Sequence, residues 1–66
     1  MAVLKVIEVL SSSPTSWEDA THKAVEKASK SVKHIRSVYV QDQSASVTDG
    51  NVTEFRVNLK LTFEIE

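Results

Sequence analysis

Phe55-Arg56-Val57-Asn58-Leu59-Lys60-Leu61-Thr62-Phe63-Glu64-Ile65 alternates apolar and polar residues without a slip. Phe55, Val57, Leu59, Leu61, Phe63 and Ile65 share one side, and Arg56, Asn58, Lys60, Thr62 and Glu64 the other. Strict period two marks a β-strand with one buried face. At roughly 3.4 Å per residue the run extends about 37 Å, about twice the usual strand. A chain of 66 residues is too small to cover such a strand alone. Further copies of the same chain are the expected cover.

Working back from this strand, Thr48-Asp49-Gly50-Asn51 is a hairpin signal, because Asp-Gly tolerates the positive φ that tight turns need. Ile35 to Val47 therefore reads as the partner strand of the hairpin. Before it lies a helix of about 16 residues, or about 24 Å. Its start is marked by two overlapping capping boxes, Thr15-x-x-Glu18 and Ser16-x-x-Asp19. Trp17, Ala20, Ala24, Val25, Ala28 and Val32 make its apolar face. Asp19–Lys23 and Glu26–Lys30 are i,i+4 pairs on the solvent side, and lysines gather at the negative end of the helix dipole. Ser11-Ser12-Ser13-Pro14 reads as a turn cluster, and Val3 to Leu10 as a first strand buried over much of both sides. The predicted fold is α+β: a single domain, 1–66, in the order β-α-β-β, with a three-stranded antiparallel sheet packed on one helix.

A chain this short sits near the size at which one core barely offsets chain entropy. It contains no cysteine, which excludes disulfides and thiolate zinc sites. His22 and His34 show no ligand spacing. Oligomerisation is the remaining source of stability. A net charge of −1, with acids and bases interspersed, leaves no electrostatic footprint for nucleic acid. The run Val6–Leu10 is broken by Glu8 and preceded by Lys5, unlike a signal peptide, and no stretch is long enough to span a bilayer. A soluble, cytoplasmic protein is expected, without membrane partners.

Together these segments resemble the dodecins, small β-α-β-β proteins that assemble into hollow twelve-subunit shells. The resemblance is carried by Lys5-Val6-Ile7-Glu8, by Ser13-Pro14-Thr15-Ser16-Trp17-Glu18-Asp19-Ala20, and by Ala24-Val25-x-x-Ala28-Ser29. Ile35-Arg36 and Asp49-Gly50 complete it, so that it covers essentially the whole chain. It implies a homododecamer and a flavin, FMN or riboflavin, stacked between subunits against tryptophans of the second strand. A glutamine on the third strand would hold the edge of the ring. This chain departs at both places. Ser37 stands where the relatives carry the tryptophan, and Arg56 where they carry the glutamine, whereas Gln43 matches the family. Ser37, Gln43 and Arg56 are thus the implied pocket positions, in a pocket whose grip on flavin is weakened.

Each candidate also has a plainer reading. Trp17 falls on the apolar face of the helix and reads as packing. His34, just past the helix, would meet its negative end, and His22 belongs to the solvent face. Ser37 has no base to make it a nucleophile. Asp42, Asp49, Glu54, Glu64 and Glu66 could supply oxygen ligands to calcium, although scattered acids on strands are usually solvated. No phosphate loop, carboxylate dyad or nucleophile motif suggests an enzyme. A non-enzymatic, flavin-binding storage shell is the expected function. The alternative is a shell of the same fold that binds calcium or another small ligand.

Overall fold

The computed structural model describes residues 2–65. Strand β1 (Val3–Ser13) leads into helix α1 (Trp17–Ala28), which is followed by β2 (Ile35–Thr48) and β3 (Asn51–Ile65). The sheet order is β1-β3-β2, and both pairings are antiparallel. The long alternating strand is therefore central, with β1 and β2 as its edges. The hairpin turn sits at Asp49 and Gly50, whose φ values of 51° and 77° are the left-handed pair that a type I′ turn requires.

All strictly buried strand residues but one belong to the odd-numbered side of β3. Val57, Leu59 and Leu61 are fully covered, and Ala20 and Ala24 of α1 come down on Val57 and Leu59. Alanine leaves nothing between helix backbone and sheet, so the helix lies close. Val9 and Trp17 close the cluster at its margins.

The helix is shorter than its apolar pattern predicts, 12 residues instead of about 16. Ser16, not Thr15, is the N-cap, its Oγ accepting from the Asp19 N–H at 2.9 Å. At the other end the Ser29 hydroxyl donates to the Val25 carbonyl at 2.7 Å, and the Lys30 and Ser31 N–H groups reach back only three residues. The Val25 carbonyl also keeps its bond from the Ser29 N–H at 2.9 Å, and the three-residue bonds of Lys30 and Ser31 mark the tightened turn at which the helix ends. Lys30 lies outside the helix, and no ion pair with Glu26 forms among the described residues. The pair Asp19–Lys23 does form, at 3.4 Å.

Two further expectations are corrected. Ser11, Ser12 and Ser13 are not a turn but the end of β1, opposite Val57, Arg56 and Phe55. The alternation of β3 begins early enough to template them, and Ser11 and Ser13 anchor to the helix: Ser11 Oγ donates to the Ala20 carbonyl at 2.9 Å. Nor is β1 covered on both sides. Leu4, Val6 and Leu10 remain 52%, 53% and 73% exposed, because the one helix lies on the opposite face and nothing else among the described residues covers them.

Candidate functional site

Register alone decides which side chains share the face turned away from α1. Along β3 these are Arg56, Asn58, Lys60, Thr62 and Glu64, alternating with the buried residues. Ser12, Leu10, Glu8, Val6 and Leu4 lie beside them on β1, and Ser44, Asp42, Tyr39 and Ser37 on β2. Cross-strand rows result: Ser12–Arg56–Ser44, Leu10–Asn58–Asp42, Glu8–Lys60–Tyr39 and Val6–Thr62–Ser37.

Strand β2 carries register irregularities between Ile35 and Ser37 and between Val40 and Asp42. The second has a direct consequence. Plain alternation would put Ser37 and Gln43 on the same face. One extra residue, Gln41, reverses the parity. Gln43 is paired with Val57, whose side chain lies under the helix, whereas Ser37 and Arg56 share the helix-free face. Ser37 sits opposite Thr62, six positions along β3 from Arg56. Within one chain the three implied pocket positions do not converge, so a pocket using all of them takes them from different subunits.

Arg56 lines a shallow depression of about 300 Å³, with Leu10, Ser12, Ser44 and Asn58 among its walls. No ion pair or side-chain hydrogen bond holds its guanidinium among the described residues. Sequence reading singled out Arg56 but missed the two serines beside it. Ser12 is placed there only by its pairing with Arg56, and Ser44 only by the register of β2, neither of which the sequence displays.

Trp17 is committed elsewhere. Its ring meets Phe55 edge-on, with centroids 4.9 Å apart and planes 77° apart, and its Nε1 donates to the Ser44 carbonyl at 2.9 Å. The packing role read from the sequence is the observed one. On the helix-free face Tyr39 is the aromatic that stands exposed, at 65%.

The acids are dispersed. Glu64 accepts from Arg36 Nε at 3.0 Å. Asp49 is in the hairpin turn, Glu54 is opposite Ser46, and Asp42 is opposite Asn58. Glu66 lies outside the described residues. No three His, Asp or Glu side chains among the described residues of one chain come together as a metal site. Asp19 stands apart from this face. The Ser13 hydroxyl donates to its Oδ2 at 2.6 Å and, with Lys23 and His22, holds its carboxyl below the ordinary value of 3.8, against a partial opposing effect of desolvation. Ser13 is itself buried, and its Oγ accepts from the Thr15 N–H at 3.0 Å, so the three groups tie the end of β1 to the start of α1. His22 and His34 are both exposed, and the His34 carbonyl accepts from the Glu64 N–H at 3.0 Å.

One helix covers one face of a long sheet, and the opposite face mixes polar residues with the exposed Leu4, Val6 and Leu10. The chain matches the Dodecin family over residues 3–66 and belongs to it. It is 38% identical to the calcium dodecin of Mycobacterium tuberculosis over 65 residues, which make up 98% of this chain and 92% of the relative. The crystal structure of that calcium-chelating protein, which has a calcium-binding site, superposes with a TM-score of 0.84 over 98% of this chain and 93% of the other. Dodecin from Streptomyces coelicolor is 31% identical and superposes with a TM-score of 0.94, over 98% and 93% of the two chains. No helix among the described residues is long and apolar enough to cross a membrane.

Proposed function

We propose that the chain is the subunit of a dodecin-type homododecameric shell, a non-enzymatic protein that holds a small ligand on the helix-free face. The observation that carries this reading is the exposure of Leu4 and Val6 on that face, 52% and 53%, with no described residue of the chain left to cover them. Apolar surface of this kind is stabilised by burial against further copies, at about 25 cal/mol per Å². Native mass spectrometry at low micromolar concentration tests it. Twelve subunits are expected, and a compact monomer would overturn the reading.

Calcium is the ligand favoured by the similarity to a calcium dodecin. The donor chemistry fits a hard cation: Asp42 and Asn58 offer a carboxylate and an amide oxygen side by side in register. Since no chain gathers three carboxylates among its described residues, neighbouring subunits would complete the shell of oxygens. Titration calorimetry of calcium into the assembled protein is the test. Binding should weaken in Asp42→Asn while the assembly persists; unchanged binding in that variant removes Asp42 from the site.

Flavin remains the family-level second reading, with Ser37, Gln43 and Arg56 as the pocket positions. The residues present fit it poorly. Ser37 offers no ring to stack on, and Trp17 is bonded to Ser44 on the other side of the sheet. Weak binding of riboflavin and FMN with little quenching is the expected result.

A further inference from the structure

The row Ser12–Arg56–Ser44 matches the requirements of one chemical class. Arg56 is central, on the middle strand, with a serine on each adjacent strand directly opposite it. Two positions along β3, Asn58 adds an amide to the same depression. Neither serine hydroxyl is engaged in a hydrogen bond to another group, and the guanidinium has no partner, among the described residues. Uncommitted donors of a guanidinium, two hydroxyls and an amide thus line one cavity of about 300 Å³, which has no carboxylate in its walls.

We infer that Arg56, Ser12, Ser44 and Asn58 form a receptor for a phosphate-type oxyanion. A guanidinium presents parallel N–H donors at the spacing of two phosphate oxygens, and charge-assisted bonds of this kind are roughly twice as strong as neutral ones. Hydroxyls to either side reach the remaining oxygens of a tetrahedral anion, which a planar carboxylate does not possess. The nearest carboxylates by register, Glu54 and Asp42, are one row away on either side, and neither pairs with Arg56. Within the depression the guanidinium is the one cationic group among the described residues. Leu10, 73% exposed, forms an apolar wall of the same depression. A phosphate monoester with an apolar body therefore fits better than the free ion.

The residues all come from one chain, so the site and the shell reading stand or fall separately. The test is titration calorimetry of inorganic phosphate and of phenyl phosphate into the assembled protein, with chloride held constant. Saturable binding is expected for both, tighter for phenyl phosphate; equal affinities would support a receptor for the free ion instead. Arg56→Gln should weaken both by about tenfold or more, Arg56→Lys by less, since a lysine keeps the charge and loses the fork. Ser12→Ala combined with Ser44→Ala should weaken them by about threefold to tenfold with Arg56 intact. Native mass spectrometry establishes that each variant assembles. Absence of saturable binding by either anion overturns the inference, as does undiminished binding in Arg56→Gln. Should Arg56→Gln fail to assemble, the serine double variant decides, and unchanged affinity there overturns it.

Discussion

Trp17 Nε1 and the Ser44 carbonyl are joined by a 2.9 Å hydrogen bond that spans 27 residues of sequence. It ties the first turn of the helix to the edge strand β2 at the row that carries Arg56. Phe55, edge-on to the indole, supports it from the central strand. Trp17→Phe keeps a ring for Phe55 to meet but removes the donor. A net hydrogen bond contributes about 0.5–1.5 kcal/mol, and this one is exposed, so a loss of about 1 kcal/mol is expected. Chemical denaturation at matched subunit concentration measures it, because stability of an oligomer depends on that concentration.

Leu59→Ala should be far more damaging. Leu59 is fully buried beneath Ala20 and Ala24, and alanines on the helix cannot expand into the space left. Truncations of this type cost about 2–5 kcal/mol. The same denaturation experiment should place Leu59→Ala well below Trp17→Phe; equal effects would mean that the helix settles into the cavity.

Acid should loosen the junction of β1 and α1. The Ser13 hydroxyl, foremost, holds the Asp19 carboxyl below 3.8, so the folded form binds this proton less readily than the unfolded chain. The resulting stability is present above the unfolded value and is lost as pH falls through the lower folded one. Unfolding midpoints followed from about pH 6 to about pH 3 should decline less steeply in Asp19→Asn and in Ser13→Ala than in the parent. Parallel slopes would show that Asp19 makes no contribution.

Ser37→Trp with Arg56→Gln should create a flavin site. An indole platform contributes about 1–3 kcal/mol of stacking per ring, a gain of roughly fivefold to 150-fold. Ser37→Trp alone should give most of the gain, and Arg56→Gln should move the preference away from FMN. Flavin fluorescence in the presence of assembled protein reads both. Assembly with no gain in binding would mean that Ser37 does not face the ring.

The order of elements, the hairpin turn and the odd-numbered face of β3 were legible in the sequence because each is written locally: strict alternation, Asp49-Gly50, paired capping boxes. The end of the helix was not. Val32 keeps the apolar period, but the change to three-residue bonds at Lys30 and Ser31 is a hydrogen-bond outcome that the period does not carry. The serines of β1 were misread because serine is as common in turns as at strand ends, and only pairing with β3 distinguishes them. Of the site, Arg56 could be placed by the parity of β3, whereas Ser37 came from the family resemblance alone. Gln43 could not be placed, since the extra residue at Gln41 is invisible without the partner strand.

The alternation of β3 also separates two kinds of heritable change. Val57, Leu59 and Leu61 are answerable to the helix, and substitutions there are judged by whether the subunit folds. Arg56, Asn58 and Lys60 point where no residue of the same chain is packed, and substitutions there are judged by what arrives from outside. Because successive side chains leave the strand on opposite faces, a change at one parity does not enter the packing of the other. A lineage carrying this strand can exchange one ligand chemistry for another by single steps at Arg56, Asn58 or Lys60 while Val57, Leu59 and Leu61 keep the core of the subunit.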